Sequence, residues 1–230
     1  LSLLGTFLVR SDVLTSVHAF ATDAGRGVFI LAFLVVVIGG SLALFAWRAP
    51  KVGLGGRFGL LSRESLLLTN NVLLVVACAS VLLGTLYPLL IDALGAGKLS
   101  VGPPYFDAVF VPLMLPAAFL MGVAPFARWK HASVGELTHT LRWAFLAAAV
   151  VGVAAPFLHG EWKPLVALSL LLATWIVFSA LLSIVERVQS TRAGQSFLST
   201  ASKQPRSFFG MHLAHIGISV LIVGVPMVSA

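Results

Sequence analysis

The run Val28-Phe-Ile-Leu-Ala-Phe-Leu-Val-Val-Val-Ile-Gly-Gly-Ser-Leu-Ala-Leu-Phe-Ala-Trp47 contains no charged residue. About 20 such residues, wound as a helix, cross the roughly 30 Å hydrocarbon core of a bilayer. The rest of the chain offers no water-facing surface to offset it. Hydrophobic residues make up 59% and charged residues 10%, with mean hydropathy +1.02. A soluble domain carries about 25% charged residues, so the chain reads as a polytopic membrane protein. Backbone groups in lipid must pair within their own segment, which makes continuous apolar runs helices. An outer-membrane barrel needs short alternating segments instead.

Five more runs are long enough to cross, at about 66–92, 108–127, 141–158, 165–185 and 208–229. With 28–47 they make an all-α, polytopic transmembrane helical bundle of about six full helices in one membrane domain, 1–230. The chain begins at Leu1, and Leu1 to Val9 reads as the end of an earlier helix whose start is missing. It has no basic n-region and no small-residue cleavage site, so it is not a signal peptide. The expectation is an internal fragment of a longer protein.

Charge fixes orientation. Arg48, Lys51, Arg57 and Arg63 share one loop, Arg128, Lys130 and Arg142 a second, and Arg187, Arg192, Lys203 and Arg206 a third. These eleven of the fifteen Lys and Arg fall on one side, which the positive-inside rule places in the cytoplasm. The net charge of +7 is therefore topological, and nucleic acid is rejected as a partner. His18 and loops 93–107 and 159–164 then face outward, toward the periplasm of a bacterium.

The loops differ in chemistry. Loop 48–65 is Gly-rich and basic, and Ser62 is placed to cap the next helix. Loop 93–107 is stiffened by Pro103 and Pro104, with Tyr105 and Phe106 expected at the interface. Loop 186–207 is polar and rich in Ser, Thr and Gln. Cys78 stands alone in mid-helix and reads as a small apolar filler. No nucleotide loop, GxSxG or HExxH appears, which removes the common hydrolase and nucleotide sites.

Chemistry-bearing residues are few. His215 lies seven residues past Phe208, about 10 Å into the last helix. An ionisable ring at that depth is costly unless it pairs or coordinates, and imidazole is a common haem-iron ligand. His212, three residues earlier, lines nearly the same face. Gly210, Ala214 and Gly217 would let a macrocycle or another helix approach closely. The competing reading is a histidine bonded to a neighbouring helix amid ordinary small-residue packing. His18 sits at a helix end with Phe7, Val13, Leu14, Val17 and Phe20 as an apolar shelf, and Arg10 is able to meet a carboxylate. A solvated histidine is its plain alternative. Asn70 and Asn71 read as interhelical glue. His131, His139 and His159 read as solvated loop residues.

Five stretches together resemble one family. They are Gly5-Thr-Phe-Leu-Val-Arg-Ser-Asp-Val-Leu-Thr-Ser-Val-His18-Ala-Phe20, Arg63-Glu-Ser-Leu-Leu-Leu-Thr-Asn-Asn71, Leu83-Gly-Thr-Leu-Tyr-Pro88, Val101-Gly-Pro-Pro-Tyr-Phe106 and Phe209-Gly-Met-His-Leu-Ala-His215-Ile-Gly217. In this order they resemble the CcmF family, the cytochrome c haem lyase subunit of bacterial System I cytochrome c maturation. The resemblance implies an enzyme of the inner membrane that receives haem from the chaperone CcmE. It would attach that haem through thioether bonds to apocytochrome c, alongside CcmH/CcmI-type apocytochrome-handling subunits and membrane lipid.

The resemblance also assigns residues. His18 matches the second of two outer histidines on the iron of the incoming haem. His215 matches the second of two membrane histidines on the iron of a resident b-type haem, with His212 as the alternative. Arg10, on the reading of the residues above rather than on the resemblance, would meet a haem propionate. The Trp-rich WWD segment, its first flanking histidine and the first membrane histidine are missing, so the fragment alone is expected to be inactive. Asp12 stands where the family carries Gly, and His212 is an additional histidine. A cofactor-free transporter or scaffold, and a b-type cytochrome that only passes electrons, are the other classes considered.

Overall fold

The computed structural model describes residues 2–10, 24–51, 57, 59–158, 163–191, 194 and 196–229. Among the described residues the regular structure is all helix: α1 (Ser2–Arg10), α2 (Ala24–Arg48), α3 (Arg63–Ala93), α4 (Pro103–Val123), α5 (Val134–Leu158), α6 (Pro164–Thr191), α7 (Phe197–Ser202) and α8 (Arg206–Ser229). Six of them, α2 to α6 and α8, are long and apolar enough to cross a membrane.

Capping residues explain why the helices run past the apolar runs. Ser62 Oγ accepts from the Ser65 amide at 3.1 Å, which starts α3 at Arg63. Ser133 Oγ accepts from the Glu136 amide at 3.2 Å and starts α5 at Val134. His139 therefore lies on α5 rather than in a loop, although exposed as expected. Pro103 and Pro104 open α4, where missing amide hydrogens cost nothing. Within the polar segment 186–207 the described residues include two helical stretches that its composition does not announce. α6 continues to Thr191, and Ser196 caps α7 by accepting from the Ser199 amide at 3.3 Å.

The chain forms two compact units. The first comprises Leu1–Gly56 and Ala77–Phe110. In it α1 packs on α2. A side chain on Gly84 would collide with the Tyr105 ring, and Tyr105 Oη donates to the Ser80 carbonyl at 3.0 Å. The aromatic pair expected only to mark the interface thus also holds the start of α4 to α3. Cys78 is exposed on α3, not a packed filler.

The second unit comprises Arg57–Val76 and Val111–Ala230. Here α6 packs against both α5 and α8. Trp175 is 1% exposed, with Ala118, Leu141, Ala144, Ala148, Leu172 and Ile176 around it. Its indole nitrogen donates to the Phe119 carbonyl at 2.9 Å, which removes the cost of burying that donor. The ring stacks on Phe119 at 5.5 Å and meets Phe145 edge-on at 5.7 Å. α5 and α6 approach so closely that a Cβ on Gly152 would lie 2.6 to 2.9 Å from Leu171 side-chain and backbone atoms. Backbone has little room to yield, so Gly152→Val is expected to destabilise by about 1–3 kcal/mol or more. Thermal unfolding of the detergent-solubilised intact protein measures it, and an unchanged midpoint would contradict the packing.

A backbone clip joins the segment before α3 to the segment after α4. Gly59 N donates to Lys130 O at 2.7 Å, Ala132 N to Leu61 O at 2.7 Å, and Arg63 N to Arg128 O at 2.9 Å. Lys130 has a left-handed backbone, φ 65°, and its amide donates to Glu64 Oε2 at 2.7 Å. Glu64→Ala removes that acceptor. Loss of one such bond, about 1 kcal/mol, predicts roughly fivefold faster hydrogen exchange at the Lys130 amide. Unaltered exchange would show that the carboxylate does not hold the turn.

Candidate functional site

α8 carries two imidazoles on one stripe. Phe208, Met211, His212, His215, Ile216 and Ser219 are buried or half-buried, at the three- and four-residue spacing of one helical face. That is the face on which α8 is covered, and α8 packs against α6. The opposite face shows Gly210, Leu213, Ala214, Gly217, Val220 and Leu221. No atom lies within 4 Å of a Cβ built on Gly210 or Gly217. The small residues and the imidazoles therefore occupy opposite sides, and the small stripe is no cradle for a group held by either ring.

The two rings differ in setting. His212 is 1% exposed, and both Nδ1 and Nε2 are buried without a hydrogen-bond partner among the described residues. Leaving a buried polar group unpaired costs about 1–3 kcal/mol. The Phe208 ring meets it edge-on at 4.6 Å. His215 is half-buried, with its ring 6.3 Å from that of His212. Ser219 Oγ donates to the His215 carbonyl at 3.0 Å, which fixes the backbone beneath the ring. Depth along the helix, the basis for preferring His215, does not report which ring the neighbouring helix covers. The repeated spacing from Phe208 to Ser219 carries that information.

Haem iron needs only axial donors from the protein, and a single helix supplies imidazole readily. The described residues hold no group of three or more His, Cys, Asp and Glu suited to a bare metal ion. Of the two imidazoles on this stripe, the half-buried His215 is the one an axial iron would reach without repacking, and His212 is sealed. His18 lies outside the described residues, as does the Arg10 side chain at the end of α1. Asn71 is exposed and Asn70 half-buried on α3.

Comparison with known proteins gives one consistent result. The chain is 49% identical over 229 residues to the cytochrome c-type biogenesis protein CcmF of Pseudomonas aeruginosa, covering 100% of this chain and 34% of the relative. It is 46% identical over 226 residues to CcmF of Escherichia coli, covering 98% and 33%. It is 46% identical over 235 residues to the cytochrome c-type biogenesis protein CycK of Rhizobium meliloti, covering 100% and 34%. The chain thus spans about a third of the length of these relatives. No protein-family model and no solved structure matches it.

Proposed function

This chain belongs, along its whole length, to the CcmF/CycK family of cytochrome c-type biogenesis proteins, and on that premise we propose that it is part of the haem lyase of cytochrome c maturation. The observation that carries this is similarity at 46–49% identity to those three relatives over 98–100% of the chain. The substrates are haem, delivered by the chaperone CcmE, and an apocytochrome c presented by CcmH/CcmI-type subunits. The site is the bacterial inner membrane, with His18 on the periplasmic side, as the basic loops on the other side support.

In the reaction each cysteine thiol adds across a vinyl group of the substrate haem. A carbon–sulfur bond forms, the thiol hydrogen passes to the neighbouring vinyl carbon, and no net oxidation occurs. The protein's task is positioning, where orientation lowers the barrier by about 7–11 kcal/mol at best. His18 is assigned to bind the substrate iron and fix the plane of the macrocycle. It must also let go, because the product takes its axial histidine from the CxxCH segment. A ligand near the outer surface suits that release. Arg10 is assigned to a propionate, by charge-assisted pairing.

A resident b-type haem, when bound, supplies electrons that keep the substrate iron reduced. His215 is the residue assigned to hold it, with His212 as the alternative. The exposure of the rings supports that order. Both ring nitrogens of His212 are covered by this chain's own atoms, so an iron reaches them only if the packing around that ring opens. His215 stays half-open on the same stripe.

Expression of the intact gene in a strain lacking its lyase tests the proposal. Haem-peroxidase staining of denatured gels is expected to show c-type cytochromes restored. Protein present at normal level with no stained cytochrome would refute it.

A further inference from the structure

At the basic end of the second unit, the ends of α3, α5, α6 and α8 surround a cavity of about 970 Å³. Its rim carries Arg63, Arg128 and Arg187 against Glu136 and Glu186. Three guanidiniums and two carboxylates leave an excess of one positive charge, with the His139 imidazole also in the lining. Arg128 Nη1 lies 3.5 Å from Glu136 Oε1, and Arg187 Nε donates to Gln204 Oε1 at 3.4 Å. The Arg63 guanidinium sits over the Trp129 ring at 5.2 Å. The arginines come from three separate segments of sequence, so the fold, and not one basic run, assembles the cluster. α3, α5 and α8 begin beside it, each with the positive end of its dipole.

Phe126, Leu137, Phe208 and Met211 give the wall an apolar face, beside the hydroxyls of Thr140, Ser183 and Ser190. The level of the cavity in the bilayer is marked independently. Trp129 and Trp143 are 60% and 67% exposed, each with an arginine over its ring, Arg63 at 5.2 Å and Arg142 at 5.3 Å. Exposed tryptophans of this kind sit at headgroup depth. A basic rim, an apolar wall and that depth occur together in one cavity.

We infer that this cavity is a binding site for an anionic phospholipid of the cytoplasmic leaflet, its phosphodiester between the arginines and its upper acyl chain against Phe208 and Met211. The single excess positive charge matches a single phosphodiester charge. A zwitterionic lipid brings a further cation to the same rim and is disfavoured. Basic pockets between transmembrane helices on the cytoplasmic side hold anionic headgroups for this reason. A soluble phosphate would use the rim but leave the apolar wall uncovered. The volume, near the upper end of ordinary ligand pockets at about 300–1,000 Å³, far exceeds what a phosphate ion needs. The inference does not depend on haem chemistry, and either can fail without the other.

Native mass spectrometry of the intact, delipidated protein tests it, with dioleoyl-phosphatidylglycerol, dioleoyl-phosphatidylcholine and inorganic phosphate as probes. Phosphatidylglycerol is expected to bind at least tenfold tighter than phosphatidylcholine, and millimolar phosphate is expected to leave it in place. Arg128→Gln should weaken phosphatidylglycerol about fivefold. Glu136→Gln, which removes the opposing charge from the same wall, should tighten it by a similar factor. Arg142→Gln, at the same end of α5 but outside the cavity, should change nothing. A purely structural role cannot produce shifts of opposite sign from two partners in one ion pair. Equal binding of the two lipids, displacement by phosphate, or matching losses in Arg128→Gln and Glu136→Gln would each overturn the inference. The lipid and phosphate comparisons use the unsubstituted protein, so misfolding of a variant leaves the test intact.

Discussion

The intact protein with His18→Ala is expected to mature no detectable c-type cytochrome while keeping the absorbance of the b-type haem proposed for α8. An imidazole on the substrate iron fixes where the two vinyl groups lie relative to the thiols. Without it the macrocycle is free to rotate and shift. Near-attack placement is worth about 7–11 kcal/mol at best, and loss of even a third of that slows transfer by roughly 50- to 500-fold. His18 is far in sequence from α8, so the resident haem proposed there should be untouched. Covalent haem on the apocytochrome, followed by peroxidase staining, reads the first part, and reduced-minus-oxidised spectra read the second. Wild-type staining in His18→Ala would remove this histidine from the mechanism. Joint loss of both signals would point to a folding defect instead.

The second large effect concerns α8. His215→Ala is expected to remove the b-type haem, or to shift its spectrum by leaving one axial position to a weaker donor. His212→Ala should leave that spectrum in place. It also deletes a ring whose buried nitrogens lack partners, so its cost in stability should fall below that of a paired core residue. The two variants sit three positions apart on one covered face, so general damage to α6–α8 packing would affect both. A normal b-haem in His215→Ala, with loss in His212→Ala, would transfer the ligand role to His212. It would also require the packing around the His212 ring to open for the bound group.

Much of the architecture was readable from the residues because lipid restricts the choices. The uncharged run ending at Trp47 has no stable conformation in a bilayer other than a helix, and α2 covers it entirely. Capping by Ser62 was readable for the same kind of local reason, since a serine oxygen before an apolar run has amides to satisfy. Features that depend on which elements meet were not readable. Nothing in Gly152 announces that Leu171 lies against it. Tyr105 carries an interfacial composition, yet its hydroxyl reaches Ser80. The order within 186–207 was hidden by polar composition, although Ser196 is a recognisable cap. At the site, helical spacing put His212 and His215 on one face correctly. It did not foresee that the neighbouring helices seal the shallower ring more completely than the deeper one. The arginines at the basic end were legible as topology signals, but their convergence on one cavity depends on tertiary structure.

Haem stoichiometry in the intact protein, purified with the proposed haem chaperone CcmE present and counted by pyridine haemochrome, tests the central claim most directly. Two haem pools are expected in the unsubstituted protein. His18→Ala should lose one, His215→Ala the other, and the double variant both. Full haem content in the double variant, or no haem in the unsubstituted protein, would contradict the assignment of one imidazole to each iron.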